Sequence, residues 1–344
     1  MKILILTHPL GTNYGGMMQC YALKTILELM GHTVEVANMQ PPQPYVKRII
    51  REALIWLNHP RYNSPKFKRM RRFLSQNFSL TKPIYTNSDL CKYIKTNKID
   101  AVFVGSDQVW RKDFVNNYDD FAYFLNCAQT GVKRIAYAAS FGHNTWEYNA
   151  QETKVIDRLL STFNGVSVRE DYGVEMCSTH TTTTPKLVLD PTFLIPDSHY
   201  SSIASQRLIN KKYIFVYWLW NKSMIEKTLA TIPNLEEYEV VNLSMYEGTD
   251  FVSVEDWLSY IKYADIIITD SFHGCAFSVI FSKRFIYPIR EDIYDGRRES
   301  LFNMLSINHD KIGHSDYLRE YEIINKRKNR LVDEAKTFIN SSLS

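Results

Sequence analysis

The feature that most constrains this chain is a repeated alternation. A short buried-type apolar run breaks at small polar or glycine residues and is followed by a stretch of helical period. KILIL (2–6), TVEVAN (33–38), DAVFVGS (100–106), RIAYAAS (134–140), GVSVRE (165–170) and LVLDPT (187–192) are such runs in the first half. Strands apolar on both faces belong in parallel sheets with helices on either side. Residues 18–30 have helical period, and Gly31 stands where a helix C-terminus needs it. Pro191 and Pro196 bracket a linker, after which the alternation restarts with KYIFVYWLW (212–220), YEVVNLS (238–244), a helix over 253–263, ADIIITD (264–270) and FIYPI (285–289). The expected fold is therefore α/β, two Rossmann-like domains facing across a cleft. The expected domains are residues 1–195 and 196–316, with a terminal segment 317–344, helical over 317–340, packing back on the first.

At 344 residues the chain exceeds what one core usually supports, so two domains are natural. With 45% hydrophobic and 23% charged residues it has an ordinary globular composition and no room for extensive disorder. No stretch reaches the roughly 20 apolar residues of a membrane span. MKILIL reads as a first strand, not a signal peptide, so a cytoplasmic protein is expected. Five cysteines stand singly and nine histidines show no HExxH or HxH spacing, so neither a disulfide framework nor a metal site is expected. The net charge of +4 is uneven: residues 47–72 carry nine basic side chains against the single acid Glu52. Apolar residues interleave with them, so a helix here would set an apolar stripe beside a cationic face. An ordinary solvated helix is the plain reading. Peripheral contact with an anionic membrane is the functional one. Nucleic acid is not expected, because no binding motif accompanies the patch.

Four constellations could carry chemistry. In THPLGTNYGGMMQCYAL, Gly15 and Gly16 permit close backbone approach at a helix start, next to Asn13, Tyr14 and Gln19. This is not GxGxxG, and no acid follows the second strand to hold a ribose, so a nicotinamide cofactor is disfavoured. VGSDQVWR (104–111) gathers Ser106, Asp107, Gln108 and Trp110, the residue types of a sugar site; the plain alternative is an aspartate cap with Trp110 in the core. Arg169, after a buried strand, suits a carboxylate or phosphate, or else a salt bridge to Glu170 or Asp171. His273, in TDSFHGCAFS (269–278), follows a strand at a helix start and can move a proton near neutral pH. It is expected at the same topological place in the second domain as the glycine turn in the first.

NYGGMMQCYALKTIL, FVGSDQVWR, IAYAASFG, SVRE, LDPTFL and DSFHG, in this order over nearly the whole chain, resemble the successive signature blocks of the polysaccharide pyruvyl transferases. The resemblance implies a GT-B-like fold, phosphoenolpyruvate as donor with no further cofactor, and a pyruvate ketal on a sugar of a capsule or exopolysaccharide precursor, carried on lipid at the inner membrane face. It implies that His273 and Arg169 are catalytic and that both, with Ser271 and Phe272, hold the donor. Many relatives carry an arginine two positions before the histidine, where this chain has Ser271. Arg298 resembles the arginine of a subgroup sharing that variant, and Arg297 is the less favoured stand-in. Asn13, Tyr14, Gly15, Gly16, Gln19, Ser106, Asp107, Gln108 and Trp110 are expected on the acceptor side. The rival readings are a GT-B glycosyltransferase using a nucleotide sugar and a non-catalytic assembly protein.

Overall fold

A computed structural model describes residues 1–41, 43–57, 64–115, 121–127, 131–219, 222–244, 251–288, 296–314 and 316–344. The expected Arg61, Trp220, Ile289 and Asp295 lie outside these. The first-half strands are β1 (Lys2–Leu6), β2 (Thr33–Val36), β3 (Ala101–Gly105), β4 (Lys133–Ala139), β5 (Gly165–Val168) and β6 (Lys186–Leu187); the first five lie on the expected runs, whereas β6 takes only Leu187 of LVLDPT, which passes from extended chain into a 3-10 turn at Pro191. The second-half strands are β7 (Tyr213–Trp218), β8 (Glu239–Ser244), β9 (Ile266–Thr269) and β10 (Phe285–Ile286). Among the described residues they build two all-parallel sheets, ordered β2-β1-β3-β4-β5-β6 and β8-β7-β9-β10.

In each sheet the first strand lies between the second and the third, so each has a switch point where ligand crevices form. This order corrects one expectation. β9 is the counterpart of β3, not of β1. His273 thus matches the Ser106–Asp107 loop topologically, and the glycine turn matches the end of β7.

Helix α1 (Tyr14–Leu29) begins four residues before the expected 18, because Asn13 caps it by accepting from the Gly16 amide at 3.1 Å. Gly15 and Gly16 are therefore its first turn, not a preceding loop. At the other end Gly31 has φ 85°, its amide donating to Glu28 and that of His32 to Leu27. This pair of bonds closes a Schellman motif that only a left-handed residue completes. The basic segment forms two helices, α2 (Tyr45–Trp56) and α3 (Pro65–Asn77). Next come α4 (Asn87–Thr96), α5 (Lys112–Val115), α6 (Ala150–Leu160), α7 (Asp171–His180) and α8 (Asp197–Ile203).

The expected linker is a buried 3-10 turn, Pro191–Phe193, fixed by the Asp190 side chain on the Thr192 amide. The second half adds α9 (Lys222–Leu229), α10 (Val254–Tyr263, capped by Ser253), α11 (Phe272–Ile280), α12 (Gly296–Leu305) and α13 (His309–Ile312). The terminal α14 (Tyr317–Leu343) touches both halves. Its Tyr321 donates to the Ser278 and Lys283 carbonyls, and Ser342 and Phe338 close over Gly165, where a Cβ would meet them at 2.1 and 3.0 Å.

One apolar core runs through both halves, including Ile3, Ile5, Tyr14, Tyr213, Phe215 and Trp257. Its centre is Tyr14, fully buried and stacked on Trp257 (5.3 Å) and Phe251 (5.1 Å), with its hydroxyl on the Val252 carbonyl. Aromatic pairs of this kind add about 0.5–1.5 kcal/mol each beyond burial, so the halves are clamped at the start of α1. A Cβ at Gly31 would meet nothing within 4 Å. Gly31→Ala should therefore cost only the left-handed backbone penalty of about 1–2 kcal/mol, read as a lower urea midpoint with activity per folded molecule unchanged. An unchanged midpoint would contradict the cap.

Candidate active site

The carboxyl ends of β3, β5 and the segment after β6 converge on one guanidinium. Arg169, one residue beyond β5, is 1% exposed. Its Nη1 donates to Asp190 Oδ2 at 2.8 Å and Ser106 Oγ at 3.3 Å, its Nε to Glu170 Oε1 at 3.0 Å, and its Nη2 to Asp107 Oδ1 at 3.4 Å. The Phe272 ring covers its face at 4.8 Å. Arg169 was expected to project into the crevice as an anion clamp. Instead three carboxylates and an aromatic face occupy it, because a buried guanidinium needs its charge and donors matched. The salt bridge to Glu170, the plain alternative, is present; one to Asp171 is not among its ion pairs.

Asp190 went unnoticed in the sequence as a site residue, although LDPTFL displayed it. Burial is the largest influence on its carboxyl and would raise it. His273, Arg169 and the Thr192 amide outweigh burial and hold it well below the usual carboxylate range. Asp107 follows the same pattern: burial raises it, and Arg169, His8, His273 and Arg297 hold it below its ordinary value. Burial pushes Glu170 up despite Arg169. Asp107 also has φ 68°, a left-handed geometry that aspartate tolerates, with its carbonyl accepting from the Val109 and Ser140 amides.

His273 enters from the second half, in the first turn of α11. Ser271 caps that helix, its Oγ accepting from the Gly274 amide at 3.3 Å. The imidazole is 8% exposed, and its Nε2 stands 3.8 Å from Asp190 Oδ2, beyond hydrogen-bonding distance and with no other partner. Across it lies Gly15, whose added Cβ would come 2.1 Å from Nδ1. Gly15 is thus explained by the ring it must admit, not by a turn, while a Cβ at Gly16 would press on Asp107 Oδ2 at 3.3 Å.

The expected residues divide. His273, Arg169, Asp107, Ser106, Gly15 and Phe272 are brought together. Gly16, Gln19, Asn13 and Asp107 line a cleft beside the end of β1 with Thr7, His8, Pro9, Leu10, Gly11 and Met17. Gln108 packs on Gly142, where a Cβ would come 2.2 Å from its Oε1, and accepts from Arg111. Trp110 is not a sugar platform: it is fully buried, stacked on Phe124 at 5.2 Å, its indole N–H on the Tyr123 carbonyl. Tyr14 is likewise core, Ser106 is spent on Asp190 at 2.9 Å, and Ser271 is a helix cap. Arg298 folds over Tyr287 (4.7 Å) and Phe302 (5.8 Å) and bonds Glu299. The half-buried Arg297, the less favoured stand-in, is the one whose charge reaches Asp107 and Glu170.

The family profile described as polysaccharide pyruvyl transferase matches residues 13–292, which takes in every group of this cluster except the α12 arginines. The chain belongs to that family. No curated protein matches the sequence. Solved structures similar in fold include the UDP-GlcNAc 2-epimerase from Neisseria meningitidis bound to UDP-GlcNAc (TM-score 0.53, 12% identity, 99% of both chains covered). A second is S. aureus MnaA with UDP (TM-score 0.53, 13% identity, 98% of this chain and 97% of that one). A third is a UDP-N-acetylglucosamine 2-epimerase, described as putative, from Listeria monocytogenes (TM-score 0.52, 8% identity, 96% and 90%). These place the pyruvyl transferase chain in the two-domain GT-B-like fold.

Breaking a buried ion pair from one side costs about 3–5 kcal/mol, so Arg169→Leu should destabilise this pyruvyl transferase by that order in urea at neutral pH. Asp107 and Asp190 have depressed folded-state values. The stability they confer through Arg169 is thus present above the unfolded carboxylate range, near 4, and lost as pH falls below it. The penalty of Arg169→Leu should therefore shrink in acid. Wild-type stability with impaired donor binding would instead restore the clamp.

Proposed function

We propose that this chain transfers pyruvate from phosphoenolpyruvate to a sugar of a surface polysaccharide precursor, forming a pyruvate ketal and releasing phosphate. The observation that carries this reading is the buried Nε2 of His273, which makes no hydrogen bond and faces an ionised Asp190 at 3.8 Å where the two domains meet. An enol phosphate needs a proton at its methylene carbon, and a fixed imidazole beside a carboxylate that can balance its charge supplies one. The C2–C3 π pair takes the proton from Nε2, C2 becomes electrophilic, and a sugar hydroxyl oxygen bonds to it while losing its proton to Asp107. The C2–O bond to phosphate then breaks with its electron pair leaving on phosphate, which takes the proton held by Asp107, and a second hydroxyl of the same sugar bonds to C2 and returns its proton to Nε2, closing the ketal.

The donor's anionic groups need positively charged partners, and Arg169 is fully buried while Arg298 folds over Tyr287 and Phe302. Arg297 and the amino end of α11 fit this need better than Arg169 or Arg298. Arg169 instead positions Asp107 and Asp190. A nucleotide-sugar transferase would share the fold, and the Neisseria meningitidis epimerase above is bound to UDP-GlcNAc, but likeness at 12% identity speaks to fold alone.

His273→Gln should fold normally yet lose about 10²- to 10⁴-fold of acceptor-dependent phosphate release from phosphoenolpyruvate. Near-normal turnover, or transfer from a UDP-sugar with none from phosphoenolpyruvate, would sink the reading.

We propose further that the acceptor is lipid-linked and that the enzyme meets it at an anionic bilayer. Among the described residues no helix is long and apolar enough to cross a membrane, so contact would be peripheral. On α2 and just past it, Val46, Ile49, Ile50 and Leu57 share one face and are 65%, 49%, 51% and 64% exposed. This inverts the usual packing of an amphipathic helix. Exposed Lys47, Lys68 and Arg72 accompany the stripe. Arg48 and Arg69 do not belong to it: Arg48 lies over Tyr85 at 3.7 Å, and Arg69 donates to the Phe251 carbonyl. Each cation near the surface adds roughly 1 kcal/mol, so these three with a shallow apolar stripe suffice for reversible docking. Ile49→Ser with Lys47→Glu and Lys68→Glu should abolish co-sedimentation with phosphatidylglycerol vesicles while sparing turnover of a short soluble acceptor. Undiminished sedimentation would reduce α2 to a surface helix.

A further inference from the structure

The cleft beside the end of β1 opens between His8, Gln19, Gly11 and Asp107, and nothing in the donor chemistry above uses it. We propose that it is the subsite for the acceptor sugar, holding a pair of neutral hydroxyls between Gln19 and Asp107 with His8 against them. The proposal rests on the pyruvyl-transfer reading and says where and how its second substrate is recognised.

Gln19 is 1% exposed, and its Nε2 donates to Thr7 Oγ1 at 3.0 Å and to the Gly16 carbonyl at 2.8 Å. A carbonyl only accepts, so the amide orientation is fixed and Oε1 is left over, buried without a partner. An acceptor stranded in this way carries its desolvation cost until a donor arrives. Asp107, ionised, is also acceptor-only. The two fixed polar groups thus ask a ligand for hydrogen-bond donors and repel a phosphate or carboxylate. His8 adds a buried Nε2 with no partner, on a ring held edge-on by Phe114 (5.1 Å) and Tyr123 (5.3 Å). Pro9, Leu10 and Met17 supply the apolar wall a pyranose face requires.

Asp107 belongs to both the cleft and the Arg169 cluster, so hydroxyls bound here lie next to the group that takes their proton. Anions are left to the Arg297 and α11 side.

The test uses saturation-transfer NMR on the full chain with the methyl glycosides of glucose, galactose, mannose, N-acetylglucosamine and N-acetylmannosamine as probes, and inorganic phosphate as competitor. At least one glycoside should receive saturation, phosphate should not displace it, and His8→Ala should weaken it by about 10-fold, the loss expected for one buried hydrogen bond. Gly11 sits in open space, its Cβ position meeting only the Pro9 carbonyl at 3.9 Å, so Gly11→Phe should fill the cleft without strain and abolish the signal. Phosphoenolpyruvate affinity, measured by calorimetry, should stay within two-fold in Gly11→Phe. No glycoside binding, displacement by phosphate, or a signal that survives Gly11→Phe would overturn the subsite. If glycosides bind as stated but phosphoenolpyruvate does not, the donor reading falls and the subsite stands.

Discussion

The structure depends on the burial of one guanidinium. Arg169 lies where the loops after β3, β5 and β6 meet, and three carboxylates from those loops close around it. A lone charge at that depth would be prohibitive, and so would any of the three acids without it. Each loop is therefore fixed by the others. Ser106 turns toward Asp190, Asp190 holds the 3-10 turn that leads into the second domain, and Asp107 accepts a left-handed backbone. What looks like an anion clamp in the sequence is the part that makes the real site rigid.

The same constraint reaches across the domain junction. Phe272 lies on the guanidinium, so the amino end of α11 is brought to the cluster and His273 comes with it. Gly15 admits the ring, Tyr14 beside it is packed among second-domain aromatics, and Ser300 of α12 binds Asp171 at 2.6 Å. The site is thus pre-assembled from both domains. A reaction that protonates carbon benefits from such placement, because the donor group must not wander.

The fold was largely legible in the sequence because parallel strands announce themselves: eight of the ten apolar runs lie largely in strands, while LVLDPT gives β6 only Leu187 and FIYPI gives β10 only Phe285 and Ile286. Positions within the site were less legible, for reasons of packing. Trp110 and Tyr14 carry the residue types of a sugar platform, yet aromatic partners far away in sequence, Phe124 and Trp257, take them into the core. Nothing local in SVRE says that Arg169 will meet Asp107 and Asp190, 62 and 21 residues distant. The strand order of the second sheet, which aligns His273 with Asp107 and not with the glycine turn, is a property of pairing that no single segment displays. His8 and Asp190 were visible inside quoted motifs, but only three-dimensional proximity gives either a role.

The central claim is that His273 protonates the methylene carbon of phosphoenolpyruvate so that C2 can be captured by two hydroxyls of one sugar. Carrying out the reaction in deuterated water, with lipid-linked oligosaccharide as acceptor and mass spectrometry of the product, tests it most directly. The account predicts one condensed pyruvyl group per product, with a single solvent deuterium in its methyl group. A product that gains a glycosyl residue from a nucleotide sugar, or a pyruvyl group without solvent deuterium, would contradict it.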